Sequence, residues 1–220
     1  GREPDSRSTG ARSPRGRDDV RSFVRLSLAV VCRSVVFVGL STFVSLYAQE
    51  RLHAGAGAGA GSAALFVLFA GGAVGSLLGG TLAERFDRVR VCRWAYVLST
   101  VAVAGLLVVP GPALYVFVAL TSAGLYVPFS LQVTLGQDYL PSRVGTASGV
   151  TLGLTVSIGG LAGPVLGRIA DAAGLRTALL PLIVMPVLSW LFFRTLPEPD
   201  ASRPPASGDP SAASTRSVSA

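Results

Sequence analysis

The sequence predicts an all-α membrane protein of six transmembrane helices, and three observations carry that prediction. Half of its 220 residues are hydrophobic and only 14% are charged, whereas a soluble globular domain carries about a quarter charged residues. The mean hydropathy is strongly positive. The apolar residues fall in long blocks without helical or strand alternation, as a lipid solvent permits, because a span in lipid needs no polar face.

The elements follow in order. Residues 1–23 (GREPDSRSTGARSPRGRDDVRSF) are rich in Arg, Ser, Gly and Pro. They cannot bury enough apolar surface to fold alone, so a disordered cytoplasmic linker is expected. Their six arginines argue against a secretory signal peptide. A six-helix transmembrane bundle is expected over 24–196, with spans at Leu26 to Ala48, Ser62 to Ala83, Val91 to Val109, Ala113 to Leu135, Val144 to Leu166 and Leu175 to Phe193. Each is near the length of about 20 residues that a helix needs to cross the hydrocarbon. A polar Pro/Ser/Ala stretch over 197–220 is expected to be a disordered cytoplasmic tail.

Arginine asymmetry orients the spans. The leading segment, the second-to-third loop (Arg85, Arg88, Arg90, Arg93), the fourth-to-fifth loop (Arg143) and the tail carry fourteen arginines, against Arg51, Arg168 and Arg176 on the other side. Both termini are therefore expected in the cytoplasm, in a multi-pass protein of the cell's inner (plasma) membrane. All 19 basic residues are arginine, which suggests a GC-rich coding sequence. They lie at span ends without interleaved aromatics, so no nucleic-acid partner is expected. Cys32 and Cys92 are too few for a disulfide framework or a zinc site and read as packing residues, with no metal.

Small residues mark close helix packing, because lipid supplies no hydrophobic drive between helices and short side chains let backbones approach. In the second span Gly71, Gly75 and Gly79 recur every four residues, and the fifth has Gly145, Gly149, Gly153 and Ser157 on one ridge, then Gly159, Gly163 and Gly167 on another. Pro164 is expected to kink that helix near its outer end. Gly80-Thr-Leu-Ala-Glu84 closes the second span and Gly167-Arg-Ile-Ala-Asp171 the fifth, 87 residues later. The two copies face opposite sides of the membrane, as a three-plus-three inverted repeat requires.

No Asp or Glu lies within these span limits, so none of the spans offers a carboxylate to carry a proton. His53, beside the Ala-Gly run, reads as a solvated loop residue. Ser148 has no histidine at membrane depth to act as its base. No Gly-Lys-Ser/Thr phosphate loop is present. An enzyme is not expected.

The run GGTLAERFDRVRVCR, Gly79 to Arg93, resembles the loop signature of the major facilitator superfamily, with Gly80, Glu84, Arg85, Arg88 and Arg90 on its pattern. Glu84 stands where Asp is usual and Asp87 where glycine is usual. The run LGQDYLPSRVGTASGVTLGLTVSIGGLAGPVLGRIAD, Leu135 to Asp171, is similar to the tenth-to-eleventh helix region of the fosmidomycin-resistance-like branch, including Asp138 and Arg143. The resemblance spans roughly 24–196. It implies the carboxy-terminal half of a twelve-helix fold, whose partners are the amino-terminal half, the lipid bilayer and a small-molecule substrate. It further implies a secondary transporter for efflux of drugs or small metabolites, with no cofactor and the proton gradient as energy source; uptake by the same fold and a non-transporting scaffold are the alternatives. The sole methionine, Met185, and the leading glycine favour the expectation of a fragment over that of a self-assembling half-transporter.

On this resemblance the first and fourth spans line the central path, the second and fifth flank it, and the third and sixth face lipid. Path candidates are Arg33, Phe37, Ser41, Tyr126, Ser130 and Gln132. A cytoplasmic gate is expected at Gly80, Glu84, Arg85, Arg88, Arg90, Asp138 and Arg143, with Arg85 or Arg88 latched to Asp138. Glu84 is expected against the positive amino end of a neighbouring helix. Gly75, Gly79, Gly149, Gly153, Gly163 and Pro164 are expected at helix contacts.

Arg33 interrupts the apolar run LAVVCRSVV eight residues beyond Arg25, about 12 Å deeper at 1.5 Å per residue. The span's twelve Leu, Val and Phe residues contribute about −0.3 to −0.6 kcal/mol each, against about +2.5 to +3.5 for a central arginine. Insertion therefore survives. Arg33 either snorkels back towards the interface or works in the path, on an anionic substrate group or on a carboxylate of the other half.

Overall fold

The computed structural model describes residues 18–52 and 59–197. His53 and most of both terminal segments therefore lie outside the described residues. The chain forms α1 (Val20–Arg51), α2 (Gly59–Arg85), α3 (Arg88–Val108), α4 (Ala113–Tyr139), α5 (Val144–Ala173), α6 (Leu175–Leu179) and α7 (Pro181–Arg194). Among the described residues, six stretches are long and apolar enough to span a membrane, the sixth being α6 and α7 together.

The helices overrun the apolar blocks because caps and turn residues, not the end of hydrophobicity, stop them. α1 begins at Val20, inside the expected linker, because the Asp19 carboxylate accepts from Ser22 N–H at 3.1 Å and from Ser22 Oγ at 2.6 Å, satisfying an amide of the first turn. α5 runs through Pro164 to Ala173 and stops at Gly174, whose φ of 87° suits glycine. The sixth span breaks at Leu180, before Pro181 opens α7. A turn at Pro141 to Arg143 separates α4 from α5 and is closed by Arg143 N–H donating to Leu140 O at 3.0 Å.

The helices pack as two interlocked triples. The largest interface joins α2 to α4, and its counterpart joins α5 to α1; α3 packs on α4 as α7 packs on α1. The second and third spans of each triple thus lie on the first span of the other, an exchange that a two-fold relation between repeats produces. The core falls into two apolar clusters. One contains Val36, Leu40, Val103, Leu106, Leu125 and Leu182, the other Leu26, Ala29, Tyr96, Leu131, Leu135 and Phe193 at the arginine-rich end. Between them lie buried Arg33 on α1, Ser99 on α3 and Ser189 on α7, so the bundle has a polar waist.

Candidate functional site: a buried arginine and a charged rim

The waist is built around Arg33, near the middle of α1 and only 3% exposed. It does not snorkel. Its Nη1 donates to Leu125 O on α4 at 3.4 Å, and its guanidinium lies over the Phe129 ring at 4.9 Å. Pro128 lies inside α4 close to this contact. Lacking an N–H, it leaves the carbonyl four residues earlier, Gly124 O, without its helical donor, one residue before the Leu125 O that Arg33 reaches. Arg33 Nε has no hydrogen-bond partner and, among the described residues, no carboxylate pairs with this cation.

Two other path candidates join Arg33. Phe37, one turn along α1, meets Tyr126 edge to face at 5.6 Å, and both are half-buried. With Phe129 they make an aromatic surround for the cation. Gln132 is buried further along α4 and donates to the Tyr96 hydroxyl of α3. Ser41 is half-buried and donates to Val38 O of its own helix at 3.2 Å. Ser130 is exposed, one turn beyond Tyr126. Sequence reasoning missed Phe129, Tyr96 and Pro128; of these only the proline carried a signal, as a helix breaker inside an apolar span.

At the arginine-rich end, Arg88 opens α3 and its Nη1 lies 2.7 Å from Asp138 Oδ2, near the end of α4. Arg85 closes α2 and is exposed, so of the two expected latch arginines it is Arg88 that reaches the acid. Arg90 makes a loose pair with Asp87 at 3.7 Å. Glu84 is exposed in the last turn of α2, and Asp87 is the acid that immediately precedes α3. Gly80 is exposed with nothing near its Cβ position, and Arg143 is exposed just before α5. Beside it, the hydroxyl and N–H of Ser142 both donate to Asp18 and hold that carboxyl below its usual range. Asp19 N–H donates to Tyr139 O at 2.9 Å, so the approach to α1 is tied to the α4–α5 turn.

The glycines divide. A Cβ on Gly75 would meet Ala123 backbone at 2.8 Å, and one on Gly79 would meet Val127 O at 2.7 Å; backbone contact with α4 requires these glycines. Gly163 is looser, 3.8 Å from Val38, and Pro164 is exposed. Gly149 and Gly153 are exposed, and among the described residues nothing lies within 4 Å of a Cβ at either, so within the described chain this ridge makes no helix contact.

The sequence pattern of the Major Facilitator Superfamily matches residues 3–164. The chain is 34% identical over 155 residues to an uncharacterized MFS-type transporter, YfnC, of Bacillus subtilis, covering 70% of this chain and 37% of the relative. It is 26% identical over 182 residues to the fosmidomycin resistance protein of Escherichia coli, covering 79% of this chain and 44% of that protein. The chain thus spans well under half the length of these curated relatives. Among solved structures it is similar in fold to FucP, a transporter in the outward conformation, at a TM-score of 0.73 and 22% identity, over 80% of this chain and 42% of the other. A second structure, the E. coli fucose:proton symporter FucP, matches at a TM-score of 0.72 and 23% identity, over 79% and 42%.

Proposed function

The chain belongs to the major facilitator superfamily, and from that premise we propose that it forms the carboxy-terminal half of a secondary transporter that expels drugs or small metabolites in exchange for protons. The observation that carries the reading is Arg33: a cation buried in the polar waist, without a carboxylate partner among the described residues. An unpaired charge inside a membrane protein is expensive, and such residues mark ion and substrate pathways. Arg33 takes an anionic group of the substrate, or a carboxylate brought by the other half; Phe37, Tyr126 and Phe129 hold the apolar part. The name of the E. coli relative, fosmidomycin resistance protein, supports efflux of a small molecule.

In this reading both termini are cytoplasmic in the inner membrane, supported by the arginine asymmetry, and the Arg88–Asp138 pair latches the cytoplasmic rim. Cells expressing the complete reading frame should accumulate less of a transported drug, and a protonophore should abolish the difference. Arg33→Gln should do the same with membrane insertion preserved. Drug levels indifferent to the protonophore remove proton coupling, and full activity in Arg33→Gln removes Arg33 from the path. Uptake by the same fold is the second reading, favoured by the fold shared with a symporter; counterflow in oriented proteoliposomes separates the two directions.

A further inference from the structure

The α2–α3 side of the bundle carries a cleft that lies outside the path. Leu78 and Leu82 of α2, Trp94 and Leu98 of α3 and Val127 of α4 line an open groove of about 660 Å³. α2 and α3 touch each other little, so the groove runs between them with α4 as its floor. At the arginine-rich end it adjoins a polar cavity of about 310 Å³ lined by Glu84, Arg85, Asp87 and Arg88. Phe86 and Arg90 line both. The two form one cleft with an apolar body and a charged head.

Its charged head sets it apart from the purely apolar pocket lined by Val35, Ile158, Leu161 and Val165. The outward ridge of α5 offers Gly149 and Gly153, with nothing within 4 Å; such small residues suit the close approach of another helix. The groove instead exposes large apolar groups, Trp94 at 71% and Phe86 at 53%, with the indole near the charged end, as at a membrane–water interface. Around the head, Arg85, Arg88, Arg90 and Arg93 outnumber Glu84, Asp87 and Asp138 by one. Arg88 is engaged by Asp138 at 2.7 Å, whereas Arg90 holds Asp87 only at 3.7 Å with both side chains more than half exposed. Arg90 is therefore able to turn to a stronger anion at little cost, since an exposed pair is worth about 0.2–1 kcal/mol.

We propose that this cleft binds an anionic glycerophospholipid of the phosphatidylglycerol type, with one acyl chain along the groove and the phosphodiester on Arg90. The occupant's single negative charge matches the excess positive charge at the head, and its acyl chain matches the apolar body.

Trp94 is a built-in reporter. The chain has two tryptophans, so Trp190→Phe leaves Trp94 alone. The full chain with that change is reconstituted in phosphatidylcholine vesicles containing a small, fixed fraction of acyl-brominated phosphatidylglycerol or phosphatidylcholine, whose bromines quench an indole on contact. Phosphatidylglycerol should be preferred about fivefold, the equivalent of about 1 kcal/mol for one basic residue at an anionic surface. Arg90→Gln should remove the preference; this side chain is 64% exposed and folding does not depend on it. Arg176→Gln, at the opposite end of the bundle, should leave the preference intact. Equal quenching by the two lipids overturns the proposal, as does a preference that survives Arg90→Gln or falls equally with Arg176→Gln. A groove reserved for a protein helix would give the first of these results.

Discussion

Arg33 is the residue the bundle could most easily do without if stability alone mattered. One hydrogen bond to Leu125 O and the face of Phe129 offset only part of the cost of taking a guanidinium out of water, and its Nε remains unpaired. Replacing buried ionic groups with apolar ones of similar size is often neutral or stabilising, by up to about 1–4 kcal/mol. Arg33→Met should therefore keep or raise the melting temperature of the purified protein in detergent while transport is lost. A marked fall in melting temperature would instead make Arg33 a structural tie across the Pro128 region of α4. The depth and isolation of this arginine were legible in the run LAVVCRSVV. Of its aromatic surround, Phe37 and Tyr126 were among the path candidates and Phe129 was not, because no spacing rule in the sequence connects that position on α4 to Arg33.

At the scale of elements, four-residue glycine spacing identified ridges without saying which way they face. Gly75 and Gly79 touch the backbone of α4, and Gly149 and Gly153 touch nothing in the described chain, although all four sit in the same sequence pattern. Gly75→Leu or Gly79→Leu must push α2 off α4, and should lower stability by the roughly 1–3 kcal/mol typical of overpacking. Gly149→Leu and Gly153→Leu should change it by no more than about 0.5 kcal/mol, as surface substitutions do. Thermal unfolding of the four variants checks the contrast. The Arg88–Asp138 pair was legible to the extent that both charges fall at one membrane face. The choice of Arg88 over Arg85 was not, because both arginines stand on helices that pack on α4 and only the tertiary arrangement leaves Arg85 exposed and brings Arg88 against Asp138. Arg88→Asp or Asp138→Arg alone should alter transport with insertion intact, and the double exchange should restore it. Failure of the double exchange would leave these charges as determinants of topology only.

For the whole molecule, the interlocked triples account for the bundle's coherence, with α1 and α4 at its centre and α2 and α5 at its flanks. The flanks are incompletely covered: of the most apolar stretch of α5 only 17% is buried, and of that of α2 28%, against 56% for α1. The outward side of α5 sets Gly149 and Gly153 beside the exposed Val150, Leu152 and Val156, and glycines at such positions let another helix approach closely. In the proposed half-transporter, a chain spanning 37% and 44% of its relatives' lengths would present this face to the rest of the protein. The 220-residue chain alone should associate with itself in mild detergent through that face, giving dimers or larger species by light scattering. Trp in place of both Gly149 and Gly153 should lower the association with helicity unchanged, because neither site touches the bundle. A monodisperse monomer of the unsubstituted chain would mean that the ridge is satisfied by lipid. The open glycines would then need another explanation than a missing protein partner.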